Sequence, residues 1–156
     1  IVQAYGKRFY DARHVCWAYV LGADGSVSRA NDDGEPSSTA GKPILGQIVK
    51  NGLTDILVIV VRYFGGVKLG TSGLIVAYRT AAADAIEHAT VETRYVEETV
   101  VFDFSYVMMN DVMRVVKEMK LRIVSQDFDN SCRITLSIRR SEAEALRTRL
   151  EKLAFE

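Results

Sequence analysis

The stretch Asp55–Leu74, DILVIVVRYFGGVKLGTSGL, decides how the chain is read. Its first part, Ile56 to Val61, is unbroken aliphatic and reads as a strand covered on both faces. Extended to Phe64, it is expected to be the central strand of a first sheet. Gly65, Gly66 and Gly70 then permit positive φ, and Thr71 or Ser72 can cap the helix that follows. A strand, a glycine loop and a helix N-terminus in succession offer N–H donors and partial positive charge to an anion. Lys68 adds a full charge. No acid lies between Asp55 and Asp84, whereas Arg62, Lys68 and Arg79 all do. The expected phosphate-facing set is therefore Arg62, Lys68, Gly70, Thr71, Ser72, Gly73 and Arg79. The loop is not a Walker motif, since no lysine precedes Thr71 in a GK[ST] triplet, nor is it GxGxxG. The competing reading is a structural turn whose glycines only let helix and sheet pack closely.

Toward the N-terminus, HVCWAYVL (His14–Leu21) alternates and is rich in β-branched and aromatic residues. With GADG and SVSRAN after it, a hairpin from about Val15 to Ala30 is expected, turning at Ala23–Gly25. DDGEPSSTAGKP, residues 32–43, is a loop. Its Asp32, Asp33 and Glu35 could hold a divalent cation, but EF-hand spacing is absent. They read better as acids that cap turns or pair with an arginine, and they are candidate partners for the basic stretch of the glycine loop. Ile44, Leu45, Ile48 and Val49 fall at helical spacing, between Pro43 and Gly52. Beyond Gly73, Leu74, Ala77, Tyr78, Ala81, Ala85 and Ile86 mark the apolar face of a second helix. His14 and Cys16, two apart on one strand, share a face. A Cys–His nucleophile needs such proximity, with Asp33 to orient the imidazole, but a core cysteine beside a rim histidine fits the strand spacing better.

The chain has 156 residues, is 48% hydrophobic and 26% charged, and carries no net charge. That rules out a bulk electrostatic pull toward nucleic acid or membrane, and leaves local patches. Two cysteines far apart in sequence read as free buried thiols, and two histidines without ligand spacing argue against zinc. No apolar run is long enough to span a membrane, and cytoplasm is the default location. The polar stretch ATVETRYVEET changes the rhythm, and a boundary is placed near Thr90–Arg94, dividing residues 1–92 from 95–156. After it come a strand in VEETVVFDFSY, a helix in MNDVMRVVKEM and a hairpin of RIVSQDF with CRITLSIRR across Asp129–Asn130. A last helix, Glu142–Leu153, opens on a Ser141/Glu144 capping box. This β-α-β-β-α order is a ferredoxin-like domain lacking its closing strand, so the fold class is α+β with two small domains.

Three stretches together, HVCWAY, NDDGEPSSTAGKPIL and VVRYFGGVKLGTSGLIVAYRTAA, resemble the IMPACT family in its bacterial, YigZ-like branch. The resemblance spans about residues 11–90. It implies a first domain with the fold of elongation factor G domain IV and a ribosomal small-subunit relative, and a second like that factor's domain V. It also implies a strand and helix ahead of YDARH, of which Ile1–Tyr10 would be the remnant. The family's usual motifs carry Asn where Val15 stands, and Gly where Ser38 and Ser72 stand. No catalytic residue or cofactor is implied. The leading expectation is a binding protein that contacts RNA, the ribosome or a translation-control protein. The alternatives are an enzyme using a cleft between the acidic and glycine loops, and a protein–protein adaptor docking through the second sheet.

Overall fold

The computed structural model describes residues 1–155, which fall into two compact units, one from Ile1 to Val91 and one from Glu92 onward. In the first, helix α1 (Val2–Arg8) leads into strand β1 (His14–Leu21), which turns back as β2 (Val27–Asn31). Gly22 and Gly25, with φ of 91° and 68°, make that turn. After the acidic loop come helix α2 (Gly41–Lys50), strand β3 (Ile56–Arg62) and helix α3 (Gly70–Glu87).

The sheet order is β2-β1-β3, all antiparallel, so β1 and not the aliphatic strand is central. Sequence reasoning misplaced β3 because an unbroken aliphatic run cannot distinguish full cover from half cover. In β3 only Val58 is buried, and its neighbours are half-buried. The strand also ends at Arg62, which leaves Tyr63 and Phe64 in the loop. Cys16, Ala18 and Val20 of β1 point inward with Val58, under Ile44 and Ile48 of α2 and the line Leu74, Tyr78, Ala82 and Ile86 of α3. That line steps by four. Ala81 and Ala85, expected inward, are exposed, as is Val49 of α2.

Helix α2 comes close to the sheet through Gly41. A β-carbon there would stand 2.7 Å from the backbone nitrogen of Asn31 and 3.0 Å from Ala30 Cβ. The contact is therefore specific to glycine, unlike that at Gly46, which has open space around it.

The second unit runs β4 (Glu97–Phe104), α4 (Met109–Glu118), β5 (Arg122–Phe128), β6 (Cys132–Arg139) and α5 (Ala143–Phe155), with sheet order β4-β6-β5. Val112, Val115 and Val116 of α4 and Leu146 and Leu150 of α5 pack on Val100, Phe104, Ile134, Leu136 and Ile138. Ser141 lies in a 3-10 turn ahead of α5, and Glu144 pairs with Arg147 at 2.8 Å instead of closing a capping box.

Gly41→Ala should lower the stability of the first unit by about 1–3 kcal/mol, because the rigid backbone of β2 has to yield. Gly46→Ala, inside the same helix with free space, should raise it by up to ~1 kcal/mol. Urea titrations of both variants measure the difference; equal effects would show that the close approach at Gly41 carries no strain.

Candidate functional site

The acidic loop and the glycine loop are joined by one carboxylate. Glu35 has a side chain only 1% exposed, and its Oε1 is the meeting point of several donors. Arg62 reaches it with Nε at 2.7 Å and Nη2 at 2.6 Å, and the Tyr78 hydroxyl donates to it at 3.3 Å. His14 Nε2 lies 3.0 Å away, an ion pair when the ring carries both protons. The sheet register produces this: His14 and Arg62 are cross-strand partners at the ends of β1 and β3. Both point to the face on which α3 lays Tyr78.

The imidazole is held from its other side. Nδ1 carries the proton it donates to the Asp33 carbonyl at 2.6 Å. Gly34, at φ 84°, lets the backbone pass the ring, where a β-carbon would lie 3.5 Å from it. The Asp33 carboxylate does not orient His14; it accepts from the backbone N–H of Val15 at 2.7 Å. That bond uses no side chain of residue 15, so valine serves there.

Asp32 binds the start of α2. Its Oδ1 accepts from Gly41 N at 2.8 Å and Ala40 N at 3.2 Å, and its Oδ2 from Ser38 N at 3.0 Å. The Gly41 and Ala40 N–H groups are donors that a helix start leaves without partners, and α2 has no acid in its own first turn. Burial opposes the charge on Asp32, but the three N–H groups, with help from Lys42, hold its carboxyl below the ordinary aspartate range.

Cys16 lies behind the cluster, fully buried. Its thiol has the Asp32 carbonyl at 3.1 Å and the Tyr78 hydroxyl at 3.4 Å in reach. Burial pushes that thiol up to about 11, despite the hydrogen bond to Tyr78, and the charges of Glu35, Asp33 and Asp32 add to the rise. The Tyr78 hydroxyl is likewise raised, by burial first and then by its contact with Cys16. A thiol held protonated is no nucleophile, so the geometry makes Cys16 a core residue.

Of the expected anion-facing set, the structure exposes Lys68, Gly70, Thr71, Ser72 and Arg79. Gly66 and Gly70 use φ of 90° and 71°, whereas Gly65 does not need a left-handed conformation. Two placements differ from expectation. Leu69 precedes α3 with no side-chain cap, so Thr71 and Ser72 lie within its first turn and are not its caps. Arg62 is half-buried and held by Glu35, not turned to the loop surface. Arg79 stands nine residues along α3 from Gly70, more than two turns from the loop. Among the described residues, no group of three or more His, Cys, Asp or Glu is placed to hold a metal, and no helix is long and apolar enough to cross a membrane.

Sequence reasoning overlooked the exposed apolar side chains around Lys68. Tyr63, Phe64, Val67 and Leu69 are 50, 45, 73 and 48% exposed. Reading Tyr63 and Phe64 as the end of the strand hid them. The Tyr63 hydroxyl donates to Asp11 at 3.3 Å, and the Arg13 guanidinium lies 5.4 Å from the centre of the Phe64 ring.

The fold and this polar cluster define a class before any relative is considered: an α+β protein whose first unit locks two loops together through a buried acid. Residues 1–86 match the Impact N-terminal domain. The chain belongs to the IMPACT family. It is 45% identical over 93 residues to the IMPACT family member YvyE of Bacillus subtilis, a match covering 60% of this chain and 43% of that protein. It is 34% identical over 142 residues to an IMPACT family member of Haemophilus influenzae, covering 90% of this chain and 69% of the relative. With YigZ of Escherichia coli it shares 35% identity over 120 residues, 76% of this chain and 59% of that one. The chain thus matches less than half the length of the Bacillus relative. A crystal structure described as that of an hypothetical protein superposes with a TM-score of 0.67 at 29% identity, covering 97% of this chain and 74% of the other.

Two outcomes test the site. Asp32→Asn should cost about 1 kcal/mol at neutral pH, since a charged acceptor for helix donors becomes neutral. Because the folded-state carboxyl is depressed, this advantage of the parent is complete above the unfolded value near ~4 and is lost as pH falls through the lower folded value. Unfolding titrations at neutral and strongly acidic pH should therefore show a gap that closes with acidification; a pH-independent gap would contradict the assignment. Ser38 has φ 65°, a conformation that costs a non-glycine residue about 1 kcal/mol or more, and its bond to Asp32 uses only its backbone. Ser38→Gly should accordingly raise the thermal midpoint by a degree or more, read by calorimetry.

Proposed function

We propose that this chain is a cytoplasmic binding protein of the translation apparatus, one that meets RNA phosphates at the glycine loop. The observation that carries this reading is the exposed Lys68-bearing loop, without a single acid from residue 56 to 83. Its base is fixed to the acidic loop by the Arg62–Glu35 pair. Of the neighbouring carboxylates, Glu35 is paired by Arg62, while Asp32 and Asp33 keep their charge and accept from backbone N–H groups of α2 and Val15. Phosphate then meets Lys68, the first-turn hydroxyls of Thr71 and Ser72, and the N–H groups of Gly70, Thr71 and Ser72, whereas the Gly73 N–H is the first to be bonded within α3. Arg79, further along α3, extends the positive field more than it contacts the same phosphate.

In this reading the first unit has the fold of elongation factor G domain IV, and the second is ferredoxin-like. The order β4-β6-β5, with α4 and α5 as its two helices, supports the latter. A fold shared with translation factors supports RNA or ribosome contact only by analogy. Pocket chemistry gives the enzyme reading less support. The candidate nucleophile, Cys16, is buried and its thiol is held protonated, and the Asp33 carboxylate does not orient His14.

Lys68→Ala should weaken binding to RNA or ribosomes and reduce the slope of log affinity against log salt by about one, without moving the thermal midpoint. Arg62→Ala should instead destabilise the first unit by about 3–5 kcal/mol, since it strands a buried carboxylate. Affinity and salt slope both unchanged in Lys68→Ala would transfer the reading to a protein–protein adaptor.

A further inference from the structure

We infer that the glycine loop binds unpaired nucleotides, with bases stacking on Phe64 and Tyr63 beside the phosphate contact at Lys68. The inference deepens the reading just proposed and rests on it. Four large apolar side chains in seven residues, Tyr63, Phe64, Val67 and Leu69, stand about half-exposed or more, directly after a strand whose residues are buried or half-buried. A loop with only charge to offer would need none of them. Single-stranded nucleic acid needs both features together: a cation for the backbone and a π-face for the base.

The local arrangement supplies both. Arg13 lies over the Phe64 ring, joined to the same strand end by its backbone N–H, which donates to the Arg62 carbonyl at 2.9 Å. A guanidinium and an aromatic face are therefore presented as a unit. Asp11 is the carboxylate in contact here, and it engages Tyr63 only at the hydroxyl; Arg13 covers one face of Phe64 and leaves the other for a base. A base stacked within a duplex cannot also stack on these rings, so the nucleotides have to be unpaired. An acidic or neutral protein segment would use Lys68 and the apolar side chains, but it has no flat π-face to lay on two exposed aromatic rings.

The test uses the full chain with three probes of equal length: a riboadenylate decamer, the same ribose-phosphate backbone without bases, and a paired RNA stem. The decamer should bind most tightly, with the abasic strand and the stem weaker. Phe64→Ala and Tyr63→Ala should each weaken decamer binding about tenfold, leave its salt slope unchanged and leave the abasic strand unaffected. Tyr63→Phe, which keeps the ring and drops the Asp11 contact, should bind as the parent does. Phe64→Trp should retain binding, and its fluorescence should be quenched by the decamer. Thermal midpoints verify that each variant folds. If the aromatic variants bind normally while Lys68→Ala weakens binding, stacking is overturned and the phosphate reading survives. If the parent binds none of the three probes, both fall.

Discussion

A carboxylate taken almost wholly out of water is costly, and Glu35 is tolerable because groups from three separate elements converge on it, two of them donors whatever the state of the imidazole. Arg62 comes from β3, His14 from β1 and Tyr78 from α3. The charge is not an ornament of the acidic loop but the reason that loop lies where it does. Once Glu35 is seated, Asp33 falls beside Val15 and Asp32 beside the first turn of α2. Three acids within four residues thus do three different jobs. Of the three, Glu35 is the one that pairs with an arginine.

The same arrangement bears on the three positions where the resemblance led us to expect other residues. Position 15 supplies a backbone N–H to Asp33, so a side chain without polar atoms suffices. Position 72 is exposed in the first turn of α3, where serine fits as readily as glycine. Position 38 is different: serine there sits at φ 65° and keeps its place because its N–H is bound by Asp32.

Local pattern made most elements legible. The alternation of HVCWAYVL and the i, i+4 spacing of Leu74 and Tyr78 each follow from one repeating geometry. Sheet position was less legible, because β3 and a truly central strand share the same aliphatic composition. The site was legible in its residues and not in its pairing. Asp32, Asp33, Glu35, His14, Cys16 and Arg62 all stand out by type, but which acid meets which base depends on register between distant strands. Tyr78 drew no attention as a polar residue because its spacing marked it as core, and it is both. The exposure of Phe64 turned on where a strand stops, which is the least determined feature of any sequence reading.

Glu35 and Arg62 are separated by 27 residues, and Tyr78 and Glu35 by 43. Glu35 gathers all of these partners only where β1, β3 and α3 have already met, because each supplies one of them. Interactions absent from the folding transition state slow the escape from the native state more than they speed its formation. The buried acid is therefore a latch in time as well as in space. It is expected to affect how long the first unit stays folded more than how fast it folds, a division that stopped-flow unfolding and refolding arms resolve separately.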